Sequence, residues 1–419
     1  MTVTDKKPPH GAAKGPPQGA AKEPTGAAKG PPQGAAKKPT QGASSEVVRD
    51  INRRIVLNLI RTRQPISRAD LARVSGLQRS TISLIVEQLI DSQWVREGAT
   101  GRLPRGRRPT FLRLNDERVI IGVDLRPTQT TVALADANGK FSSQEVMVTP
   151  ADPKIAVQML VDSIKRIASA CRGKLIEGVG LSLPGRYNFT TDRLVFAPNL
   201  KWRDVDLRSP IMKATGLEVE LENAANACVL ATVWFDRSET CRNMVVVTVS
   251  EGLGTGILAN GQLVRGFDGM AGEFGHVALD PKGPLCGCGS RGCWEVYGSN
   301  RAAQRYYFES GSHSGELGFL DLLSRADQGD SRAAKALETM AHYLGRGMRM
   351  IVAGIAPERI VVVGDLTRSW HRFGPVIEAE VQDQTLPGAC APRVVPAHED
   401  GMARLRGTVA LVLQKHFSA

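Results

Sequence analysis

No apolar run in this chain approaches the roughly 18 residues of a helical membrane span. The N-terminus also lacks the apolar core of a secretory leader. These absences argue against a membrane protein and place the chain in the cytoplasm. Cysteine is sparse for 419 residues: of the seven, Cys171, Cys228, Cys241 and Cys390 stand singly and read as reduced core residues, which excludes a disulfide scaffold. Lysine is absent from residues 45–115, a stretch with fourteen arginines against six acids. Residues 1–44 have almost nothing from which to build a core. Gly11–Lys22 recurs letter for letter at Gly26–Lys37, and Pro and Gly dominate, so residues 1–44 are expected to be a disordered repeat tail.

What is present is organised by charge. The net charge is +12, made up of +5 in residues 1–44, +8 in 45–115 and −1 over the rest. A neutral body behind a strongly basic first quarter puts a polyanionic partner at the N-terminal end. Residues 45–115 read as a winged helix-turn-helix. Val47, Ile51, Ile55 and Leu59 recur at helical spacing and predict a first helix buried along that stripe. Ser67 can cap a second helix over Arg68–Val74, and a turn at Ser75-Gly76-Leu77 leads to a third from near Gln78 to Ile90, with Ile82, Ile85 and Leu89 inward.

Such a third helix enters the major groove of duplex DNA. Its start offers Gln78, Arg79, Ser80, Thr81 and Ser83 to base edges and phosphates, with Arg79 as the main base contact, and Ser67 joins them as a candidate contact. Trp94–Glu97 and Thr110–Leu114 read as wing strands. Their loop carries Arg102, Arg105, Arg107 and Arg108 among Gly and Pro, a composition suited to a narrow minor groove.

The most specific motif lies further on. Gly-Glu-Phe-Gly-His276 is followed by Cys286-Gly-Cys288 and, five positions later, by Cys293. One imidazole and three thiolates form a closed tetrahedral set, so His276, Cys286, Cys288 and Cys293 are expected to hold a structural Zn²⁺.

Those residues, with Leu183-Pro184-Gly185, Ala197-Pro198-Asn199-Leu200-x-Trp202, Glu222-Asn223 and Gly252-Leu253-Gly254-Thr255-Gly256, resemble the signature of the ROK family of sugar kinases and sugar-responsive repressors. The likeness covers roughly residues 45 to 415. It implies an α/β, actin-like (ribonuclease-H-like) two-lobed sugar-kinase fold: a first lobe over 116–240, a second over 241–399 with the zinc site, and a C-terminal helix within 400–419 packing back on the first lobe. Strands are expected at Val119–Asp124, Thr130–Ala135, Phe141–Val148, Val179–Leu183, Met244–Val249, Gly254–Leu258 and Arg359–Val363, and helices at Pro153–Cys171, Ala333–Ile355 and Gly401–Lys415.

The resemblance also assigns Asn199, Asn223, Glu273, His276 and Glu295 to a sugar, with one ring nitrogen of His276 on zinc and the other on a sugar hydroxyl. Phosphoryl transfer needs a base at the attacking hydroxyl and a cradle for the ATP phosphates. The family's Glu-Asn-Asp-Ala motif reads Glu222-Asn223-Ala224-Ala225 here, which lacks the proton acceptor. Its Asp-x-Gly-Gly-Thr hairpin reads Asp124-Leu125-Arg126-Pro127-Thr128, and Gly364-Asp365 replaces a glycine pair.

The expected function is therefore a sugar-responsive DNA-binding transcriptional regulator, a repressor rather than an enzyme, whose kinase-like lobes bind ligand. Its expected partners are a double-stranded operator, a sugar effector and further copies of itself in a homodimer or homotetramer, on the nucleoid and away from the membrane. An active sugar kinase that also binds DNA, and a DNA-binding scaffold with no ligand, are the alternatives.

Overall fold

The computed structural model describes residues 45–100, 109–236, 241–309, 317–383, 390–397 and 401–417. The repeat tail and the loop bearing Arg102, Arg105, Arg107 and Arg108 lie outside the described residues. At the N-terminal end, α1 (Ser45–Arg63) leads to β1 (Ile66–Ser67), α2 (Arg68–Ser75), α3 (Arg79–Asp91), β2 (Val95–Thr100) and β3 (Thr110–Leu114). Ser67 Oγ accepts the Asp70 amide at 3.2 Å and so starts α2. Gly76, at φ 72°, ends it in the left-handed region that glycine enters without penalty. Ile82, Ile85, Val86 and Leu89 of α3 are buried. β3 pairs antiparallel with β1 and β2, which completes a helix-turn-helix with a wing.

The apolar stripe expected to bury α1 faces outward instead. Val47, Ile51 and Ile55 are exposed and Leu59 is half-buried, whereas Val56, Leu57 and Ile60 are fully buried. Helix α1 carries two apolar stripes, and periodicity cannot tell which faces the core. The choice falls to 56/57/60 because α1 packs on α2, α3 and β3 mainly through its C-terminal half.

The first lobe runs through β4 (Arg118–Leu125), β5 (Gln129–Asp136), β6 (Phe141–Val148), α4 (Pro153–Ala170) and β7 (Leu175–Leu183), then the short β8 (Arg186–Asn188), β9 (Arg193–Ala197) and β10 (Trp202–Val205), and finally α5 (Arg208–Thr215), β11 (Val219–Asn223) and α6 (Ala224–Phe235). Its main sheet has the order β11-β7-β4-β5-β6, with β4, β5 and β6 antiparallel and β7 and β11 parallel to β4.

The second lobe contains β12 (Met244–Val249), β13 (Leu253–Ala259), β14 (Gln262–Val264), α7 (Glu295–Gly298), α8 (Asn300–Glu309), α9 (Phe319–Asp327), α10 (Ser331–Ile355), β15 (Arg359–Val363), α11 (Trp370–Gln382) and β16 (Arg393–Pro396). Its sheet, β14-β13-β12-β15-β16, repeats the order and strand directions of the first. Two such sheets in tandem are the actin-like sugar-kinase architecture. The small β8–β9–β10 sheet, whose strands are too short to show periodicity, was not anticipated.

The last helix, α12 (Ala403–Phe417), returns to the first lobe and packs on β4, β7, β11 and α6. Its approach is close because glycine lies at the contacts. A Cβ at Gly407 would overlap the backbone of Ala227, and one at Gly180 would overlap that of Thr408. Each lobe encloses its own buried cluster, and a third joins the helix-turn-helix to the C-terminal part of α12. No helix among the described residues is long and apolar enough to cross a membrane.

Candidate sugar cleft, metal cluster and DNA-facing helix

Tight turns bring the four ligand candidates together. Trp294 is fully buried, its indole N–H donates to the Tyr343 carbonyl at 2.8 Å, and its ring fills space that only glycine at 347 leaves open in α10. That anchor fixes the end of the cysteine loop. The donor atoms of His276, Cys286, Cys288 and Cys293 all lie within 4.8 Å of one another, a group able to hold a metal ion. Cys288 and Cys293 sulfurs are 3.7 Å apart, and a tetrahedral site with Zn–S near 2.3 Å has sulfur–sulfur edges of roughly 3.8 Å. His276 Nδ1 lies 3.7 Å from Cys286 Sγ, while Nε2 lies 3.7 Å from Glu273 Oε2 on the other side of the ring.

Burial pushes the Cys286 and Cys293 thiols up. At Cys288 burial acts the same way, but hydrogen bonds from Ser290 and the neighbouring thiols outweigh it and bring the group down. A cation would have to displace protons here, so its affinity would fall with pH.

The cluster borders a cleft between the lobes, lined by Asn199, Asn223, Glu273, His276, Cys288 and Glu295 among others. Its volume is about 150 Å³, smaller than the roughly 300–1,000 Å³ of drug-sized sites and suited to a small ligand. All five residues assigned to sugar by resemblance meet here. Asn199 Oδ1 accepts from Arg301 Nη1 at 2.6 Å. Glu295 Oε2 accepts the Leu253 amide at 3.1 Å. Glu273 faces Arg186 at 3.6 Å as well as His276. Asn223 caps α6: its Oδ1 accepts the Ala225 amide at 2.7 Å and its Nδ2 donates to the Gly185 carbonyl at 3.2 Å.

Sequence reasoning passed over Arg186, Arg301 and Arg404, which border or enter the cleft from separate elements. Glu222, quoted in the sequence only as part of a motif and given no role there, is fully buried and accepts from Arg265 Nε at 2.9 Å and from Asn226 Nδ2 at 3.0 Å.

On the kinase side, Ala224 is the first residue of α6 and lines the cleft with no proton-accepting group. Arg126 folds its guanidinium onto Asp124 at 2.6 Å, where Glu251 and Asp365 also attract it. Burial opposes that charge, but the three carboxylates outweigh it and raise the pKa. The β4–β5 turn thus presents a closed ion pair.

On the DNA side, Gln78, Arg79 and Ser80 are exposed at the start of α3, and Thr81 and Ser83 are half-buried beside them. Gln78 makes no side-chain cap bond. Ser67 is buried, and its hydroxyl is engaged with Asp70.

The helix-turn-helix docks where α6 and α12 end. Phe417 meets Trp94 at 5.6 Å and Trp234 at 5.1 Å, both edge to face. The Arg61 guanidinium stacks over Trp234 at 4.3 Å and bonds its carbonyl at 2.8 Å. Both helices therefore run from the cleft, at Ala224 and Arg404, to the helix-turn-helix, at Trp234 and Phe417, in contact along the way.

Comparison with known proteins agrees with this architecture. Residues 120–415 match the ROK family. The chain is 31% identical over 351 residues to a xylose repressor of Bacillus spizizenii, covering 82% of this chain and 90% of that protein. Among solved structures it superimposes on a ROK family transcriptional regulator described as a homologue of the E. coli MLC protein, with TM-score 0.74 and 25% identity over 88% of this chain and 98% of that one. A ROK family glucokinase from Streptomyces griseus, in complex with glucose and AMPPNP, gives TM-score 0.64 and 29% identity over 71% of this chain and 99% of its own. The relative with the longer match is a regulator whose alignment reaches into the N-terminal helices, and the chain belongs to the ROK family.

Proposed function

We propose that this protein is a sugar-responsive, DNA-binding transcriptional repressor whose kinase-like lobes bind ligand without transferring phosphate. One observation carries the reading: the cleft keeps Asn199, Glu273, His276 and Glu295 facing one space while Ala224 stands where an acceptor for the hydroxyl proton is required. A carboxylate and an amide can grip vicinal hydroxyls with a selectivity that apolar contacts lack. His276 gives Nδ1 to zinc with Cys286, Cys288 and Cys293, and Nε2 to a sugar hydroxyl; the metal, when bound, cross-links the loop that carries Glu273 and Glu295.

DNA is read by α3, chiefly through Arg79, with Gln78, Ser80, Thr81 and Ser83 beside it. The arginines at 102, 105, 107 and 108 hold the minor groove and phosphates. A ligand bridging Asn199 in the first lobe to Glu273 and Glu295 in the second draws the lobes together. The α6 and α12 pair, rigid helices packed from cleft to helix-turn-helix, transmits that movement. Pairing of two chains, favoured by the exposed apolar stripe Val47, Ile51 and Ile55, turns it into a change in half-site spacing in the cytoplasm, on the nucleoid.

The test combines three measurements on the full chain: operator binding, thermal shift against a sugar panel, and ATP consumption. Ligand-dependent DNA affinity without phosphate transfer is expected. ATP-dependent phosphorylation of any panel sugar above background would instead support the kinase, and DNA binding with no sugar response would support the scaffold.

A further inference from the structure

The two oxygens of Glu222 face two different parts of the molecule. Glu222 sits next to last in β11 of the first lobe and is fully buried. Its Oε1 accepts the Asn223 amide at 2.9 Å and Asn226 Nδ2 at 3.0 Å, which fixes the start of α6. Its Oε2 accepts Arg265 Nε at 2.9 Å, and Arg265 follows β14 in the second lobe. One carboxylate therefore ties the second lobe to the foot of the helix that runs to the helix-turn-helix. Such a tie is stiff: drawing Arg265 away would leave a fully buried carboxylate without its cation, the costly half of a buried ion pair.

Arg265 is also bound into the stretch that leads to a residue of the cleft. The Ala271 amide donates to the Arg265 carbonyl at 2.9 Å and closes residues 265–271 into one turn. Gly272 follows, its carbonyl accepting from Thr255 Oγ1, and then Glu273, which lines the cleft. A Cβ at Gly272 would overlap the Thr255 backbone, so the turn is seated on β13 and moves with the second lobe. Arg265 does not itself line the cleft. The first lobe touches the outside of the same turn more loosely. Phe189 lies under the Arg265 guanidinium at 5.4 Å and against Gly269, and Thr190 Oγ1 donates to Asp268 Oδ1 at 3.1 Å between exposed side chains. Exposed contacts of this kind part and re-form at little cost, whereas the buried pair does not.

We infer that Arg265 is a positioning residue: through Glu222 it transfers the position of the second lobe to the first turn of α6. The inference rests on the sugar-sensor reading and names the input end of its signal path. A ligand held between Asn199 and Glu273 shifts the second lobe against the first, and Arg265 carries that shift to Glu222. The first turn of α6 follows as a unit, because the Asn223 amide and the Asn226 side chain hang on the same oxygen.

The test is hydrogen exchange read by mass spectrometry on the full chain, alone and with saturating xylose, glucose, mannose, N-acetylglucosamine or their phosphate esters. Calorimetry and operator affinity are measured with the same compounds. In the wild type a bound sugar should slow exchange at residues 265–273 and in the first turns of α6. In Arg265→Gln it should still bind within about threefold and still protect residues 265–273. The protection of α6 should disappear, and the ratio of operator affinities with and without sugar should fall toward one. Because this variant strands the Glu222 carboxylate and could lower stability, Arg265→Gln is also combined with Glu222→Gln. The double variant should recover most of the lost melting temperature and none of the coupling, two properties that a merely structural pair would restore together.

A sugar that protects α6 equally in the wild type and Arg265→Gln would overturn the role of Arg265 while leaving the sensor reading intact. Recovery of coupling in the double variant would do the same. If none of these compounds binds the wild type or changes its operator affinity, the sensor reading falls, and this inference falls with it.

Discussion

If α6 and α12 carry the signal from cleft to DNA, cutting the contact at their far end should disconnect sensing from response and leave each intact. Phe417→Ala does this with few other losses. The ring is 6% exposed and meets two indoles edge to face, Trp94 from the helix-turn-helix at 5.6 Å and Trp234 from α6 at 5.1 Å. Truncating a buried Phe costs about 3–5 kcal/mol, and each aromatic pair contributes roughly 0.5–1.5 kcal/mol of that. At the end of a terminal helix, where neighbours can close in, about 3 kcal/mol is expected. The loss falls on docking of the helix-turn-helix, not on either lobe's core.

Three measurements follow on wild type and variant: affinity for the effector by calorimetry, affinity for operator DNA without effector, and operator affinity at saturating effector. The first two should change by less than about threefold, under 0.7 kcal/mol. The ratio of the last two, which reports coupling, should collapse toward one. A variant with weaker docking but an unchanged ratio would refute transmission through this contact.

Cys288→Ser should lose bound metal and lower the melting temperature, read by metal analysis beside calorimetry, since a structural ion contributes its binding free energy to folding. Arg79→Ala should lower discrimination between operator and random DNA by about 1–3 kcal/mol, whereas Arg105→Ala with Arg107→Ala should weaken binding to both and flatten its salt dependence. Equal operator selectivity after Arg79→Ala would count against α3 as the reading helix. The docking contact should also be acid-sensitive through His416, 4.6 Å from the Trp94 ring: burial, then Lys415, Arg118, Arg53 and Arg54, hold its pKa down to about 4 despite Glu177 at 3.4 Å, which is itself paired with Arg118. The unfolded chain takes that proton near 6.5 and the folded one only near 4, so stability is complete above pH 6.5 and falls as pH drops through that window. The loss is on the order of 1–2 kcal/mol once screening of a part-exposed ring is allowed for, and His416→Gln should flatten the pH dependence of melting.

The parts of the molecule legible in the sequence are those whose meaning is local. The cysteine spacing, the Ser67 cap with Gly76, and the strands Met244–Val249 and Arg359–Val363 are set by residues adjacent in the chain, and the folded elements match them. The α1 stripe was not legible, because Val47, Ile51 and Ile55 form as good a helical pattern as Val56, Leu57 and Ile60. What separates them is the presence of α2, α3 and β3 against one face. The short β8, β9 and β10 show no pattern of their own, yet they position the turn that presents Asn199.

Arg404 was illegible for a related reason: an arginine in an amphipathic helix is ordinarily solvated, and only the fold shows it enclosed beside Ser250 and Cys228, with no carboxylate ion-paired to it among the described residues. Such a residue has to be read together with Ala224 and Arg126. Alanine alone at 224 would remove a base and leave an impaired kinase still able to cradle a nucleotide. The Arg126–Asp124 pair alone would block phosphate donors at the β4–β5 turn and leave a base with nothing to act on. On the proposed reading, the two together would leave a cleft with neither a proton acceptor nor a nucleotide hairpin, while the carboxylates and amide proposed to face the sugar still line it. Random decay of an enzyme has no reason to spare that second set. Ligand binding that moves α6 and α12 against the helix-turn-helix gives one.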